Sequence, residues 1–401
     1  MTLMSKKPVT VSVTGCSLVD CVYANVNFAS EAFKKYSSVT PGDGGLVPGQ
    51  LVFMESLEKF TKVPALQMLA ELTDNAPVSG RNVGGPAVVA AINAAQLCSE
   101  YPAKVKFYGA RGNDSDADFI ESILVKTPLD ITNYPKTEGF TPSTQVLSDP
   151  AYHDGKGERT FINVVGSANA YQPEDLGDEF FESDVLVFSA TALVPPLHDN
   201  LTSLLKRGKE AGKINMVATV FDFRNEMRDP NGRWPMGDSD EAYKYIDILA
   251  VDWDEARRLS GEETLEKIVD FFASRGVSAM TITHGAKNFH VYSDGRFFKK
   301  FELASLCVNE LVNEDLAKYP EKRGDTTGCG DNFAGGLLAS VIMHLSEGAV
   351  AGELDMRTAA AWADASGGFA CFCLGGTYLE KCQGDKYAQI KRYCDYYLAN
   401  Q

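Results

Sequence analysis

Short apolar runs alternate with helical patterns through most of the chain, and this alternation constrains the fold more than any other feature. The runs are rich in β-branched residues and are bounded by turn residues, which is typical of strands. The sequence predicts strands at 9–13, 105–108, 185–189, 216–222, 246–251 and 279–283, and helices at 87–97, 116–125, 197–211, 254–259, 265–273, 332–345 and 356–373. Buried strands separated by helices predict an α/β fold, with a mostly parallel central sheet covered by helices on both faces.

Three further strand-like segments, at about 20–27, 76–83 and 141–165, have no helix after them. We expect them to form a small separate β-sheet beside the central one. The stretch from 28 to 75 is the least regular, although apolar residues at 54–72 have helical spacing. No repeat or linker divides the chain, so the sequence predicts one domain over residues 8–395.

Composition and charge exclude several classes of protein. The 401 residues carry a formal net charge of −16, which disfavours a general nucleic-acid binder because contacts with phosphates need basic surface. The apolar runs are shorter than the roughly 20 residues that a membrane helix needs. The nine cysteines have no zinc-like spacing, so we expect reduced thiols and a cytoplasmic protein. A lipoprotein signal ending at Cys16 is the alternative, but the apolar stretch 8–13 is short for one.

A glycine-rich turn at 324–336 shows the clearest functional pattern. Its sequence, Gly-Asp-Thr-Thr-Gly-Cys-Gly-Asp-Asn-Phe-Ala-Gly-Gly, leads into a mostly apolar helix. Gly328 and Gly330 have no side chain to obstruct an anion, and a helix N-terminus directs N–H groups at one. Asp331 lies beside this anion site, where a carboxylate is unfavourable unless it has a role such as accepting a proton.

A plain helix cap is the other interpretation of this turn. Thr326 or Thr327 would then cap the helix, and Asp331 would favour its dipole. A cap does not account for the two glycines on either side of Cys329. The turn also lacks the Gly-Lys-Ser/Thr ending of a Walker A loop and the third glycine of a dinucleotide-binding fingerprint.

The segment 325–331 resembles the C-terminal signature of the ribokinase/PfkB family of carbohydrate and nucleoside kinases, Asp-Thr-x-Gly-Ala-Gly-Asp, and departs from it only at Cys329. Other segments resemble the family's motifs and follow the family's order over about residues 10–376. They are Gly15 with Asp20, Gly84-Gly85, 108–114, 157–161, Asp222-Phe223-Arg224 with Trp234, and 283–285. The resemblance implies a ribokinase-like fold in which the small sheet serves as a lid.

The resemblance also implies roles for the residues of the turn. Asp331 would be the general base for the acceptor hydroxyl, and the backbone N–H groups of Gly328, Cys329 and Gly330 would bind the γ-phosphate of ATP. Phosphoryl transfer depends mainly on alignment and charge neutralisation, which such a turn can supply.

Substrate and nucleotide contacts are implied in the same way. Asp20, Gly84, Gly85 and Arg159 would contact the acceptor, although Asp20 could instead be a solvated strand end and the glycines a helix N-terminal turn. On the nucleotide side the matching residues are Thr283, Gly285 and Asp364, the last of which stands where the family often has an adenine-contacting Asn.

Two metal sites follow from the resemblance. Asp252 and Glu255 match an Asn-x-x-Glu motif that orders Mg²⁺ through water, with Asp252 in place of the Asn. The alternative is that Asp252 or Asp254 caps the following helix. Asp325 and Thr327 match a monovalent-cation site and imply activation by K⁺, whereas local hydrogen bonding in the turn would also explain Asp325.

The N-terminal signature departs from the family, because Val88 and Val89 stand where a substrate-contacting asparagine is usual. Asn82 and Arg159 are the candidates to replace it. The sequence favours an ATP-dependent kinase of a sugar or sugar-like alcohol. A nucleoside kinase of the same family and a non-catalytic sugar or nucleotide sensor are the alternatives. Lids of this family often pair, so a homodimer through the lid is also expected.

Overall fold

The structure is a computed structural model that describes residues 6–40, 42–155, 157–324 and 326–400. Within these residues the chain forms an eight-stranded sheet and a separate five-stranded sheet, with helices around them. The thirteen strands are β1 Val9–Gly15, β2 Leu18–Tyr23, β3 Leu51–Phe53, β4 Gly80–Gly84, β5 Ala103–Tyr108, β6 Ser143–Asp149, β7 Glu158–Val164, β8 Val185–Ser189, β9 Ile214–Ala218, β10 Ile248–Asp252, β11 Ala279–Thr283, β12 Phe289–Ser293 and β13 Phe301–Leu306.

Helices connect most of these strands and cover the large sheet. They are α1 Glu31–Tyr36, α2 Met54–Thr61, α3 Ala65–Leu72, α4 Pro86–Leu97, α5 Ser115–Leu124, α6 Tyr152–Gly155, α7 Gly177–Phe180, α8 Pro195–His198, α9 Leu201–Glu210, α10 Phe223–Arg228, α11 Trp253–Ser260, α12 Leu265–Ser274, α13 Glu310–Lys318, α14 Cys329–Ser346, α15 Met356–Ala370 and α16 Asp385–Asn400. Short 3₁₀ turns lie at Gly166–Asn169, Pro173–Leu176, Thr191–Leu193, Asp240–Tyr245 and Pro320–Lys322.

The large sheet has the order β13-β12-β11-β10-β9-β8-β1-β5. Its six strands from β11 to β5 are parallel, which confirms the predicted α/β class. β12 pairs antiparallel with β11, and the edge strand β13 pairs antiparallel with β12. The sequence patterns did not predict these two strands.

The smaller sheet has the order β3-β7-β6-β2-β4. Four of its strands come from the three segments in which extra strands were expected. The fifth, β3, comes from the irregular stretch before residue 75 and pairs in parallel with β7. Leu147 and Ile162 of this sheet are buried with residues of that stretch, so the stretch has a small apolar core of its own.

Three helices, α4, α14 and α15, pack closely because they meet at glycines. A Cβ atom on Gly335 would strike the backbone oxygen of Ala90 in α4, and one on Gly336 would strike the backbone oxygen of Trp362 in α15. Nearly every residue of α4 and most residues of α14 are buried. This packing fixes where α14 begins, which is at the glycine-rich turn.

Several boundaries differ from the sequence predictions for local reasons. Pro64 precedes α3, so the expected helix over 54–72 is two helices. The strand predicted to end at Asp222 ends at Ala218, and Asp222 caps α10 instead by accepting from the N–H of Asn225. Among the described residues, no helix has both the length and the apolar character to cross a bilayer.

Candidate active site

The carboxyl ends of the parallel strands meet the start of α14 at a cavity of about 150 Å³. Parallel strands bring their carboxyl ends to one edge of a sheet, and α/β proteins bind ligands there. Asp252 ends β10, Thr283 ends β11, and both line the cavity with Glu255, Gly330 and Asp331. Residues that are far apart in the sequence therefore share one site.

The turn before α14 requires a glycine at position 328. Gly328 has a φ of 75°, and a Cβ atom there would overlap the Cα atom of Gly376. Gly330 instead has open space where its Cβ would lie. The N–H of Cys329 donates to the carbonyl oxygen of Thr326 over 3.3 Å. The first-turn N–H groups of Gly330 and Asp331 have no intrahelical acceptor, so they can bind an anion.

Asp331 is half-buried in the first turn of α14. Burial raises its pKa to about 7, and the charge of Asp20 acts in the same direction. The carboxylate of Asp331 therefore takes up a proton close to neutral pH, as a general base at physiological pH does.

Asp20 belongs to a row of polar residues across the small sheet. It pairs in register with Asn82 on β4 and Thr144 on β6, and Thr144 pairs with Asn163 on β7. Opposite residues in a sheet share a face, so these four side chains lie side by side. The amide of Asn163 donates to the hydroxyl of Thr144 over 3.2 Å. Thr144 and Asn163 were not predicted, because strand register cannot be deduced from a local pattern.

The two glycines at the start of α4 make room for this row. A Cβ atom on Gly84 would overlap a carboxylate oxygen of Asp20. Gly85 has a φ of 94°, and a Cβ atom there would strike the backbone of Ser17 and Leu18. Both the substrate-contact and the helix-turn interpretations of the diglycine fit this geometry, since Gly85 is also the N-cap of α4.

Arg159 lies apart from Asp20. Its side chain is exposed, with the guanidinium 5.8 Å from the ring centre of Phe161. Arg159 is four residues from Asn163 along β7, which is about 13 Å in a strand. Val88 and Val89 are buried in α4 and belong to the main apolar core.

A second cavity, of about 480 Å³, adjoins the first. Gly330 and Thr283 line both cavities, and the larger one extends to Gly285, Asn309 and Asp364. Burial raises the pKa of Asp364 to about 7. One carboxylate oxygen of Asp364 and the amide oxygen of Asn309 are buried without a hydrogen-bond partner in the described part of the chain. Asn309 was missed because a lone Asn between strand and helix carries no motif.

Asp252 and Glu255 form a reciprocal cap at the start of α11. Asp252 accepts from the N–H of Glu255 over 2.7 Å, and Glu255 also accepts from the hydroxyl of Thr219 over 2.5 Å. Asp252 therefore caps α11, as the alternative interpretation expected. The same residue also lines the cavity. Burial, and next to it the negative charge of Asp252, raise the pKa of Glu255 to about 8.

These carboxylates fit a divalent cation. Asp252, Glu255 and Asp331 share a cavity in which burial or a neighbouring charge opposes ionisation of each. Mg²⁺ prefers carboxylate oxygens and keeps several waters, so it needs only one or two protein ligands. Within the described ranges no three acidic, His or Cys side chains cluster tightly enough to hold a metal alone. Substrate phosphates and water would complete the coordination.

The predicted monovalent-cation site is only partly within the structure. Asp325 lies outside the described residues, and Thr327 is exposed in the turn before α14. The K⁺ site therefore stays a prediction.

Comparison with known proteins gives a family match over most of the chain. The model of the pfkB family of carbohydrate kinases matches residues 69–382. A fructokinase of Vibrio alginolyticus is 26% identical over 260 residues, which are 63% of this chain and 75% of that protein. A ribokinase of Haemophilus influenzae is 24% identical over 66% of this chain and 75% of its own length.

Solved structures share the fold at lower identity. An adenosine kinase from Schistosoma mansoni in complex with 2-fluoroadenosine aligns with a TM-score of 0.64 and 15% identity, over 92% of this chain and 96% of that one. A ribokinase from Thermotoga maritima aligns with a TM-score of 0.61 and 18% identity, over 96% and 99%. The predicted ribokinase-like fold is confirmed.

Proposed function

Because the chain belongs to the pfkB family of carbohydrate kinases, we propose that it transfers the γ-phosphoryl group of ATP to a hydroxyl of a sugar or sugar-like alcohol, with Asp331 as the general base. The observation that most supports the role of general base is the position of Asp331 together with its raised pKa. The carboxylate lies in the cavity that adjoins the larger one at Gly330, and its pKa is raised to about 7.

In the proposed reaction, the acceptor oxygen attacks the γ-phosphorus while Asp331 takes the hydroxyl proton. The new bond joins phosphorus to the acceptor oxygen, the bond from phosphorus to the β–γ bridging oxygen breaks, and ADP leaves. The N–H groups of Gly330 and Asp331 at the start of α14 stabilise the negative charge on the transferring group. The protein thus contributes alignment and electrostatics.

Magnesium bound with ATP would neutralise phosphate charge during the transfer. Glu255 and Asp252 would hold it through water, and the nucleotide would occupy the larger cavity towards Asp364 and Asn309. The small sheet would cover the acceptor and exclude water, which is the role of a lid.

The polar row on the small sheet supports a sugar as the acceptor. Asp20, Asn82, Thr144 and Asn163 offer carboxylate, amide and hydroxyl groups suited to several sugar hydroxyls. The curated relatives named above are kinases of a fructose and a ribose type, whereas the adenosine kinases share only the fold with this chain. A nucleoside as acceptor is therefore an outcome to be tested.

The test is a panel of acceptors with coupled detection of ADP, run on the wild type, Asp331→Asn and a surface control, Asp395→Asn. We expect turnover with one or more sugars and a loss of about 10²- to 10⁴-fold in kcat in Asp331→Asn, with ATP binding retained. Turnover with nucleosides alone would replace the sugar assignment. ATP binding without transfer to any acceptor would favour the sensor, and full activity of Asp331→Asn would exclude this residue as the base.

A further inference from the structure

Lys386 is a buried cation for which the proposed reaction has no role. It lies in the first turn of α16 and is 1% exposed. A lysine in this place loses hydration and also opposes the positive end of the helix dipole. Residues that break local rules of stability in this way occur mostly at functional sites.

The ammonium of Lys386 reaches the back of the glycine-rich turn through one side chain. Its Nζ donates to the Oδ1 atom of Asn332 over 3.1 Å. The Nδ2 atom of the same amide donates to the carbonyl oxygens of Gly328 over 2.9 Å and Gly376 over 2.8 Å. Asn332 follows Asp331 directly, so its amide joins the turn to the loop that packs against it.

Lys386 and the two carbonyl oxygens together fix which way this amide points. An ammonium can only donate, so it must face the oxygen of the amide, and the Nδ2 group is then directed at the two carbonyl oxygens. The backbone of Asn332 is held separately, because its carbonyl oxygen accepts from the Asn93 amide over 2.8 Å. Without the cation, the amide would be held by the two carbonyl oxygens alone, and its own oxygen would be buried without this donor.

We propose that Lys386 is a positioning residue for phosphoryl transfer, whose charge fixes the Asn332 amide and thereby holds the turn from Gly328 to Asp331 in its anion-binding shape. This inference rests on the proposed kinase function. It also places a positive charge behind the turn that would receive the γ-phosphate, which favours the anion.

The surroundings of Lys386 give this role a pH dependence. Burial lowers the pKa of Lys386 to about 8, while Cys373 and Glu380, the titratable groups that act on it, shift it slightly upwards. Cys373 lies in the loop after α15, and Glu380 accepts from the backbone N–H of Lys386 over 2.9 Å. As the pH rises above 8, Lys386 becomes neutral and the hold on the amide weakens.

The first test compares Lys386→Met with Lys391→Met, which removes an exposed lysine from the same helix. We expect kcat to fall about 10- to 100-fold in Lys386→Met, as loss of a charged hydrogen bond at a reacting site does. The KM for the acceptor and the melting temperature should stay near those of Lys391→Met. An unchanged kcat, or a fall that only follows a lower melting temperature, would overturn the proposal.

The pH profile of kcat provides a readout that a purely structural lysine would not change. The wild type should lose activity above a pKa near 8, and Lys386→Arg, which keeps its charge, should not show this decline. If Lys386→Met fails to fold, the pH profiles of the wild type and Lys386→Arg still test the proposal. A wild-type kcat that stays constant up to pH 9.5, roughly one unit below the pKa of an ordinary lysine, contradicts it.

Binding without an acceptor separates this inference from the proposed function. Calorimetry with ADP and with a non-hydrolysable ATP analogue needs no turnover. Lys386→Met should bind the ATP analogue about tenfold more weakly than the wild type and ADP equally well, because the turn contacts the γ-phosphate. If the wild type and Lys386→Met bind the ATP analogue equally well, and ADP equally well, the role of Lys386 is overturned, whatever the acceptor panel shows.

Discussion

The carboxylate of Asp20 fills the space that a Cβ atom on Gly84 would need. Gly84→Ala should therefore displace the carboxylate and lower kcat/KM for the acceptor about 10- to 100-fold, as small misplacements of a substrate-positioning group do. The KM for ATP should not change. Gly80→Ala is the matched control, since it lies at the start of the same strand and its Cβ would meet nothing within 4 Å. Equal kinetics in the two variants would show that Asp20 does not position the acceptor.

The acidic side of the pH profile should report Asp331. In the wild type, kcat/KM should rise through a pKa near 7, because the base must lose its proton before it can accept one. The charge of Asp20 contributes to that raised pKa, so Asp20→Asn should move the rise to lower pH even as it weakens acceptor binding. The measurement is the kcat/KM profile of both proteins from pH 5 to 8, about two units below the expected midpoint to one above it. A rise at the same pH in both proteins would contradict the coupling.

The sequence predicted the parallel sheet and the glycine-rich turn well, because both have strong local patterns. The strand 279–283 and the strand 185–189 have the predicted bounds. The resemblance at 325–331 led to the family that the comparison confirms over residues 69–382.

What was missed depends on register and on long-range packing. Thr144 and Asn163 lie beside Asp20 only because three strands align, and Asp364 meets Asn309 only in the folded chain. The last helix did carry a signal: its buried positions 386, 390, 393, 394 and 397 have helical spacing. Lys386 occupies the first of these buried positions. A lysine at a buried position indicates that the helix has a role besides packing against the core.

The half-buried carboxylate of Asp331 should lower the free energy of unfolding. Its pKa is raised from 3.8 to about 7, so between these values the folded protein holds a proton that the unfolded chain has lost. The unfolded state then binds fewer protons, and stability falls as the pH rises through this window. Asp331→Asn should remove that loss and raise the free energy of unfolding at pH 8 by about 2 kcal/mol. This is roughly half of what the full pKa shift would give at about 1.4 kcal/mol per unit, because the carboxylate is partly exposed and solvent screens its charge.

Denaturant titrations of the wild type and Asp331→Asn at pH 5 and pH 8 (roughly from inside the window to above it) measure this effect. The advantage of the variant should be larger at the higher pH. An advantage that is equal at both values, or larger at the lower one, would mean that Asp331 ionises at its ordinary pKa.

Glu255 should determine how much magnesium the enzyme needs. Burial and the neighbouring Asp252 raise its pKa to about 8, so the ionised carboxylate is unfavourable in the free protein and a bound cation would stabilise it. Glu255→Gln keeps the shape and an oxygen for the hydroxyl of Thr219 but removes the charge. We expect the Mg²⁺ concentration for half-maximal activity to rise about tenfold, as for loss of one charged partner. The control is Asp254→Asn, an exposed carboxylate on the same helix. Removing Mg²⁺ with a chelator should abolish turnover in all three proteins, and an unchanged Mg²⁺ requirement in Glu255→Gln would place the metal elsewhere.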